Sequence, residues 1–168
     1  MYLFKRKNLL NLILIISFIF LIPCNANAQI QVKSAEDGSE LRRSLESVRD
    51  LDYDTWQLVA YKQNQGQDKI ILRIVGFPGR LRIDHPTSLI VHSGRKDWEL
   101  KDITMSNKAL ANDSREAASE FDLSPLIAEL TNNRPLRLML KDVFTELPIP
   151  PYLVSEWRSL ITSSKINE

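Results

Sequence analysis

From residue 44 to residue 149 the chain consists mostly of short runs in which hydrophobic and polar residues alternate, separated by clusters of Gly, Pro, Asn, Asp and Ser. A period of two is that of a strand with one face in a core and the other in water. The clearest run is 56–62, WQLVAYK, which sets Trp56, Leu58 and Ala60 on one face and Gln57, Val59 and Tyr61 on the other. Residues 70–75, IILRIV, form a strongly apolar strand, reached through the turn residues Asn64, Gln65, Gly66 and Gln67. Runs at 81–83, 88–92 and 98–100 are further short strands, the last two joined by a hairpin turn at Ser93-Gly94-Arg95-Lys96. A weaker first strand is expected at 44–48, followed by the turn DLDYDT at 50–55. Residues 135–141 and 143–149 complete the set as a pair.

Two segments change period. Ser124-Pro125 predicts the start of a short helix near 124–131, with serine as cap, proline at the first helical position and Leu126, Ile127 and Leu130 as its apolar face. After Pro150-Pro151, residues Leu153, Val154, Trp157, Leu160 and Ile161 fall at helical spacing, so a C-terminal helix near 151–162 should lay Trp157 on the sheet. Residues 107–120, NKALANDSREAASE, are polar and small, and read as a surface excursion. The fold class that follows is β-rich α+β, an antiparallel sandwich or barrel-like sheet with these two helices. One globular domain is expected over 44–162, after a mobile leader at 29–43 and before a tail at 163–168.

The first 28 residues have a different character. Lys5, Arg6 and Lys7 precede a run at 9–22 that is apolar except for Asn11 and Ser17, then Pro23 and the small-residue site Ala26-Asn27-Ala28. This is the layout of a secretory signal peptide, cleaved after Ala28. The rival readings are a retained anchor, for which the run is shorter than the ~20 residues of a spanning helix, and a lipoprotein on Cys24, against which Pro23 stands directly before the cysteine. Cleavage would remove the only cysteine and leave 140 residues with 19 basic and 21 acidic side chains. Such a chain relies on its core rather than on disulfides, and its balance of charge gives no reason to expect nucleic acid as a partner.

Candidate chemistry centres on residues 74–91, IVGFPGRLRIDHPTSLIV. If Gly76-Phe77-Pro78-Gly79 closes a hairpin, Val75 faces Arg80, Leu72 faces Ile83, and Arg73 stands opposite Arg82 with Arg80 nearby. Like charges so placed need an offset: Asp84, an acidic neighbour from another strand, or an external anion. Arg73, Arg80 and Arg82 are therefore the candidate binding residues. Asp84-His85-Pro86 reads as a turn, because adjacent strand residues point to opposite faces and make a poor acid–base pair. No nucleophile, phosphate-cradling or dinucleotide motif is present, and no catalytic residue or cofactor is assigned. With His85 and His92 the only histidines, no metal site is expected. Asp50, Asp52 and Asp54 read as a solvated turn, and Trp56, Trp98 and Trp157 as core rather than pocket lining.

Several stretches together, DTWQLVAYK (54–62), LRIVGFPG (72–79), IDHPTSL (83–89), FDLSPLIAEL (121–130) and LPIPPYLVSEW (147–157), resemble an exported cyanobacterial family known as domain of unknown function 3122. The resemblance spans most of 44–160 and has no counterpart for 29–43 or 107–120. It brings no activity and no catalytic residue, and implies a cyanobacterial source and hence periplasm or thylakoid lumen. The functional expectation is a non-enzymatic binding or accessory module, with a membrane-associated protein complex as partner. The alternative is a carrier of an apolar lipid or pigment in a tryptophan-lined pocket. An enzyme would show itself by a buried carboxylate–histidine contact at His85 or His92.

Overall fold

The computed structural model describes residues 31–34, 40–63, 69–77, 82–114 and 117–162. Within them the alternating runs become β1 (Gln31–Ser34), β2 (Glu40–Arg49), β3 (Thr55–Gln63), β4 (Lys69–Val75), β5 (Ser88–Ser93), β6 (Lys96–Lys101), β7 (Ala118–Asp122), β8 (Leu136–Leu140) and β9 (Phe144–Ile149). The helices are α1 (Lys108–Ala111), α2 (Ser124–Glu129) and α3 (Pro151–Thr162). The strands form two antiparallel sheets, one in the order β1-β2-β3-β4-β7 and one in the order β6-β5-β8-β9. They meet at two corners, where Leu51 N–H donates to the Glu146 carbonyl at 3.3 Å and Asp102 forms a bridge with Phe121. The strand order does not close, so the architecture is a sandwich with a C-terminal helix rather than a barrel.

Alternation explains the core. The inner face of the first sheet carries Trp56, Leu58 and Ala60 from β3, Ile70, Leu72 and Ile74 from β4 and Phe121 from β7, all buried. Facing them are Leu89 and Val91, Leu100, Leu136, Leu138 and Leu140, and Phe144, Leu147 and Ile149 from the second sheet. Burying each such side chain stabilises the fold by about 1.5–3 kcal/mol relative to leaving it in water. Trp56 joins the sheets edge-on to Phe144, with ring centroids 5.0 Å apart. Gly76 follows directly after β4 because a Cβ there would lie 2.8 Å from the Trp56 ring. Trp56 and Trp157 are both fully buried.

Helix α3 packs on β2 and β3 and buries Leu153, Val154, Trp157 and Leu160, as its spacing predicts, while Ile161 stays exposed. The Ser44 hydroxyl donates to Glu156 at 2.6 Å and ties the helix to β2. The hairpin turn between β5 and β6 forms as expected, with Gly94 at φ 65°.

Other expectations are corrected. The leader is not wholly outside the fold, because β1 pairs with the first residues of β2 from Glu40 to Arg43. That pairing is made by backbone groups, which the polar sequence there does not advertise. Residues 107–120 are not simply a surface excursion, since they end in β7, which completes the first sheet beside β4. The cap of α2 is not Ser124. Its hydroxyl instead accepts from Ile70 N–H at 3.0 Å, and Asp122 accepts from Ser124 N–H at 3.0 Å. Asp50 is no solvated turn residue either. It is buried, and its carboxylate accepts from the N–H groups of Asp52 (3.0 Å) and Asp54 (2.9 Å) and from the Trp56 indole (2.8 Å).

Candidate functional site

The hairpin register that sets Arg73 against Arg82 does not form. Strand β4 has β3 on one side and β7 on the other, so neither edge is left for the segment around residue 82. Arg73 lies directly opposite Glu120 of β7. The offset for its charge is therefore the acidic neighbour from another strand, one of the three options the charge pattern allows. Arg80 lies outside the described residues. Arg82 is exposed and has a partner within the molecule.

Glu120 is the hub of the outer face of the first sheet. Its side chain is 3 % exposed, and Oε1 accepts from Arg73 Nη2 (2.6 Å), Arg73 Nε (2.8 Å) and the Tyr61 hydroxyl (2.6 Å). The Asn107 amide reaches both oxygens, at 3.2 and 3.1 Å. Two donors from one planar guanidinium to one carboxylate give a strong, oriented pair. The guanidinium also lies over the Tyr61 ring, 5.7 Å from its centroid. Burial, then the hydrogen bond and charge of Glu120, push the Tyr61 phenol well above its ordinary 10.0. Burial works against the Arg73 charge, yet the hydrogen bond and charge of Glu120 outweigh it and raise that group too.

A second buried carboxylate, Asp102, is joined to Glu120 through Thr104. The Asp102 side chain is 3 % exposed. Its Oδ1 accepts from the Thr104 N–H (2.8 Å) and hydroxyl (2.5 Å), and its Oδ2 accepts from Thr87 N–H (3.0 Å) and bonds His85 Nδ1 (2.7 Å). Thr104 links the two centres, because its hydroxyl oxygen also accepts from Glu120 N–H at 2.8 Å. A continuous polar seam thus runs from His85 through Asp102, Thr104 and Glu120 to Arg73. Burial alone would raise the Asp102 carboxyl, but the Thr104 hydroxyl, His85 and the Thr104 and Thr87 N–H groups override it and hold it below its ordinary 3.8.

The sign of that shift fixes a pH window. A depressed carboxyl contributes stability above its unfolded value and loses it as pH falls through the folded one. We expect Asp102→Asn to lower unfolding free energy by about 1–3 kcal/mol at neutral pH. The gap to the native protein should narrow as pH falls below about 4, where the unfolded aspartate takes up a proton while the folded one still holds its charge. Chemical denaturation at pH 7 and pH 3 checks this, and an equal gap at both values would contradict it.

His85 is nine-tenths buried, its side chain 10 % exposed, and it lines a cleft of about 410 Å³. The His85–Pro86 peptide is cis. Around the cleft stand Arg82, Asp84 and Asp113, with Met105, Leu110 and Ala117 as apolar wall. Because Asp102 is ionised and only accepts, it takes the Nδ1–H of the ring and so fixes the ring's direction. Residues 85–86 form a bend outside both sheets, and the histidine finds its carboxylate 17 residues further along. The contact set as the mark of an enzyme is thus present.

His92 is placed differently. It pairs with Asp97 at the surface, above a shallow groove of about 950 Å³ on the outer face of the second sheet. Arg137 and Glu146 approach within 3.5 Å of each other in that groove, so its charges are largely matched. The two histidines are engaged by different aspartates, and among the described residues no three His, Cys, Asp or Glu side chains converge.

Asp102, Thr104 and Asn107 were not picked out from the sequence, and Glu120 only as one of a pair of carboxylates with Glu116. Asp-Ile-Thr at 102–104 has the signature of an aspartate accepting from the N–H two residues on. It could have flagged Asp102 as a structured residue, though not its link to His85.

The fold and this cleft define an antiparallel β-sandwich domain carrying a buried acidic seam that opens at one histidine. A family model described as protein of unknown function DUF3122 matches residues 28–160, and the chain belongs to that family. The match spans both 29–43 and 107–120. No curated protein and no solved structure matches the chain.

Proposed function

We propose that the protein is an exported accessory protein that docks a partner chain by receiving one of its side chains in the His85 cleft. The observation that carries this reading is a nine-tenths-buried imidazole, held by Asp102 at 2.7 Å and opening on a cleft of about 410 Å³. A group fixed in this way is set before binding, so little ordering is lost on association. Met105, 64 % exposed at the rim, adds a flexible apolar contact of the kind that docking surfaces use. Export is supported by the basic, apolar and Ala-Asn-Ala pattern of residues 1–28 and by a family match that begins at residue 28. A cyanobacterial periplasm or thylakoid lumen fits the stretches quoted above. The packed surroundings of Trp56 and Trp157 favour this reading over an apolar carrier.

The test is a photo-crosslinking residue at position 105 in the source organism, followed by mass spectrometry of crosslinked proteins and of co-purifying small molecules. One partner that crosslinks at 105 and is lost in His85→Ala supports docking. A co-purifying lipid or pigment with no partner overturns it in favour of the carrier.

One observation favours a second reading. A histidine oriented by a buried aspartate is also the arrangement of a general base. Among the described lining residues there is no serine, threonine or cysteine, so the base would act on water or on a substrate hydroxyl. A hydrolytic activity that disappears in His85→Ala would establish this reading.

A further inference from the structure

We infer that one end of the sandwich is a lipid-contacting tip, which seats the protein on a membrane surface through Leu51, Tyr53 and Phe77. This surface goes beyond the docking reading and is separate from the His85 cleft, which none of the three residues lines.

Three observations carry it. The first is where exposed apolar groups gather. Six large apolar side chains are strongly exposed among the described residues, and three of them, Leu51 (58 %), Tyr53 (79 %) and Phe77 (69 %), share one end of the molecule. Strands β3 and β4 pair as far as Gln57 and Val75, and Gly76 lies against the Trp56 ring. Phe77 therefore leaves the sheet beside Thr55, where the turn between β2 and β3 ends. Single exposed apolar residues are ordinary, whereas a group of them on neighbouring loops marks a contact surface.

The second is the backbone of that turn. Every N–H from residue 50 to residue 54 is hydrogen-bonded within the protein. Asp50 donates to the Asp54 carbonyl (3.1 Å), Leu51 to the Glu146 carbonyl (3.3 Å) and Tyr53 to the Asp50 carbonyl (3.2 Å). Asp52 (3.0 Å) and Asp54 (2.9 Å) donate to the Asp50 carboxylate. An exposed turn in water does not need this, because water satisfies its donors. A turn that enters the edge of a bilayer does, because hydrocarbon offers an unpaired N–H no acceptor. A protein partner would bring acceptors of its own, so this feature points to lipid.

The third is shape. Tyr53 stands at φ 66°, a left-handed conformation that bulky residues rarely adopt, and the same hydrogen bonds hold it there. The tip is convex, and neither cleft described above is lined by any of the three side chains. Leucine and phenylalanine suit the acyl boundary and tyrosine the headgroup level. The exposed Asp52 and Asp54 limit insertion to that interface.

The experiment mixes protein purified from the source organism with phosphatidylcholine vesicles that carry a photoactivatable acyl chain. Crosslinked peptides are mapped by mass spectrometry. Lipid crosslinks at 51, 53 and 77 are expected, and mapping by position separates them from any contact made by residues 1–28. The double variant Leu51→Ala, Tyr53→Asn should lower the crosslink at Phe77 about tenfold, because the three groups enter together. Both positions are exposed and asparagine tolerates φ above zero, so its urea midpoint should match that of the native protein. His85→Ala should leave the lipid crosslinks in place, so the tip and the cleft are tested apart. No lipid crosslink at 51, 53 or 77 would overturn the inference, as would an undiminished crosslink at Phe77 in the folded double variant. A crosslinking residue at position 53 that captures a protein chain and no lipid in the organism would also overturn it, in favour of a protein-docking turn.

Discussion

Replacing Trp56 with alanine is expected to cost about 4–5 kcal/mol of folding free energy, the largest single effect among the substitutions considered. Truncating a buried tryptophan costs about 3–5 kcal/mol through lost transfer energy and an unfilled cavity. Trp56 lies at the upper end for three reasons. It is fully buried, it meets Phe144 edge-on across the sandwich, and it sits tight beneath Gly76, so the surroundings have several rigid contacts to lose at once. Its indole N–H is also a donor to Asp50, whose carboxylate organises the turn between β2 and β3. Removing that donor leaves a buried carboxylate short of one partner and adds about 1 kcal/mol. Trp56→Phe should cost about 2 kcal/mol, because it keeps a ring against Phe144 and loses the N–H and part of the volume. Urea unfolding of the two variants beside the native protein checks both values. A cost below about 1 kcal/mol for the alanine variant would mean that the two sheets are not pinned together at this ring.

The second large effect is expected at Glu120. Glu120→Ala should cost about 3–4 kcal/mol, in the range found when one member of a buried ion pair is removed. The loss is not simply that of one interaction. Arg73, Tyr61 and Asn107 all direct donors at this carboxylate, and all three are left without their common acceptor. The Arg73 side chain is 33 % exposed and can recover some hydration, which keeps the cost short of the upper limit. Glu120→Gln keeps an acceptor oxygen and the side-chain volume, and should cost about 1–2 kcal/mol. The same substitutions have a spectroscopic consequence. With the carboxylate gone, the Tyr61 phenol loses two of the causes that raise it, its hydrogen bond and the charge of Glu120, while burial remains. Alkaline difference absorbance should therefore show Tyr61 ionising at lower pH in Glu120→Ala than in the native protein. The sign for stability follows. A phenol raised on folding contributes stability below its unfolded value of about 10, and this is lost as pH climbs through the folded value. The native protein should lose stability in that alkaline range more steeply than the variant does.

Much of the framework is legible in the sequence. The run 56–62 named the strand and both its faces, and Trp56, Leu58 and Ala60 are the buried residues of β3. The spacing of Leu153, Val154, Trp157 and Leu160 named the buried face of α3. Segments whose burial follows their own period can be read in this way, because period is a property of the local backbone. Strand β7 was missed for the complementary reason. In Ala-Ser-Glu-Phe-Asp only Phe121 is a large inward residue, and the outer face holds Glu120, whose burial depends on Arg73, Tyr61 and Asn107 arriving from elsewhere. A carboxylate that is buried only because distant donors surround it has no local signature.

The same division accounts for the site. The charge pattern at 73–85 was a sound reason to look there, and an acidic neighbour on another strand was one of the offsets it admitted. Which strand supplied it depended on pairing. Insertion of β7 beside β4 gave Arg73 its partner in Glu120, and the segment after β6 brought Asp102 to His85. By itself, then, the sequence determined seven of the nine strands, the terminal helix and the stretches that mark the family, but not β1 or β7, and it read a strand at 81–83 where residues 82 and 83 join neither sheet. The tertiary structure decided which strand lies beside which, and with that the seam from Arg73 to His85. Alternation is set over a few residues by backbone geometry, whereas partners are chosen by burial and hydrogen bonding between segments far apart in the chain.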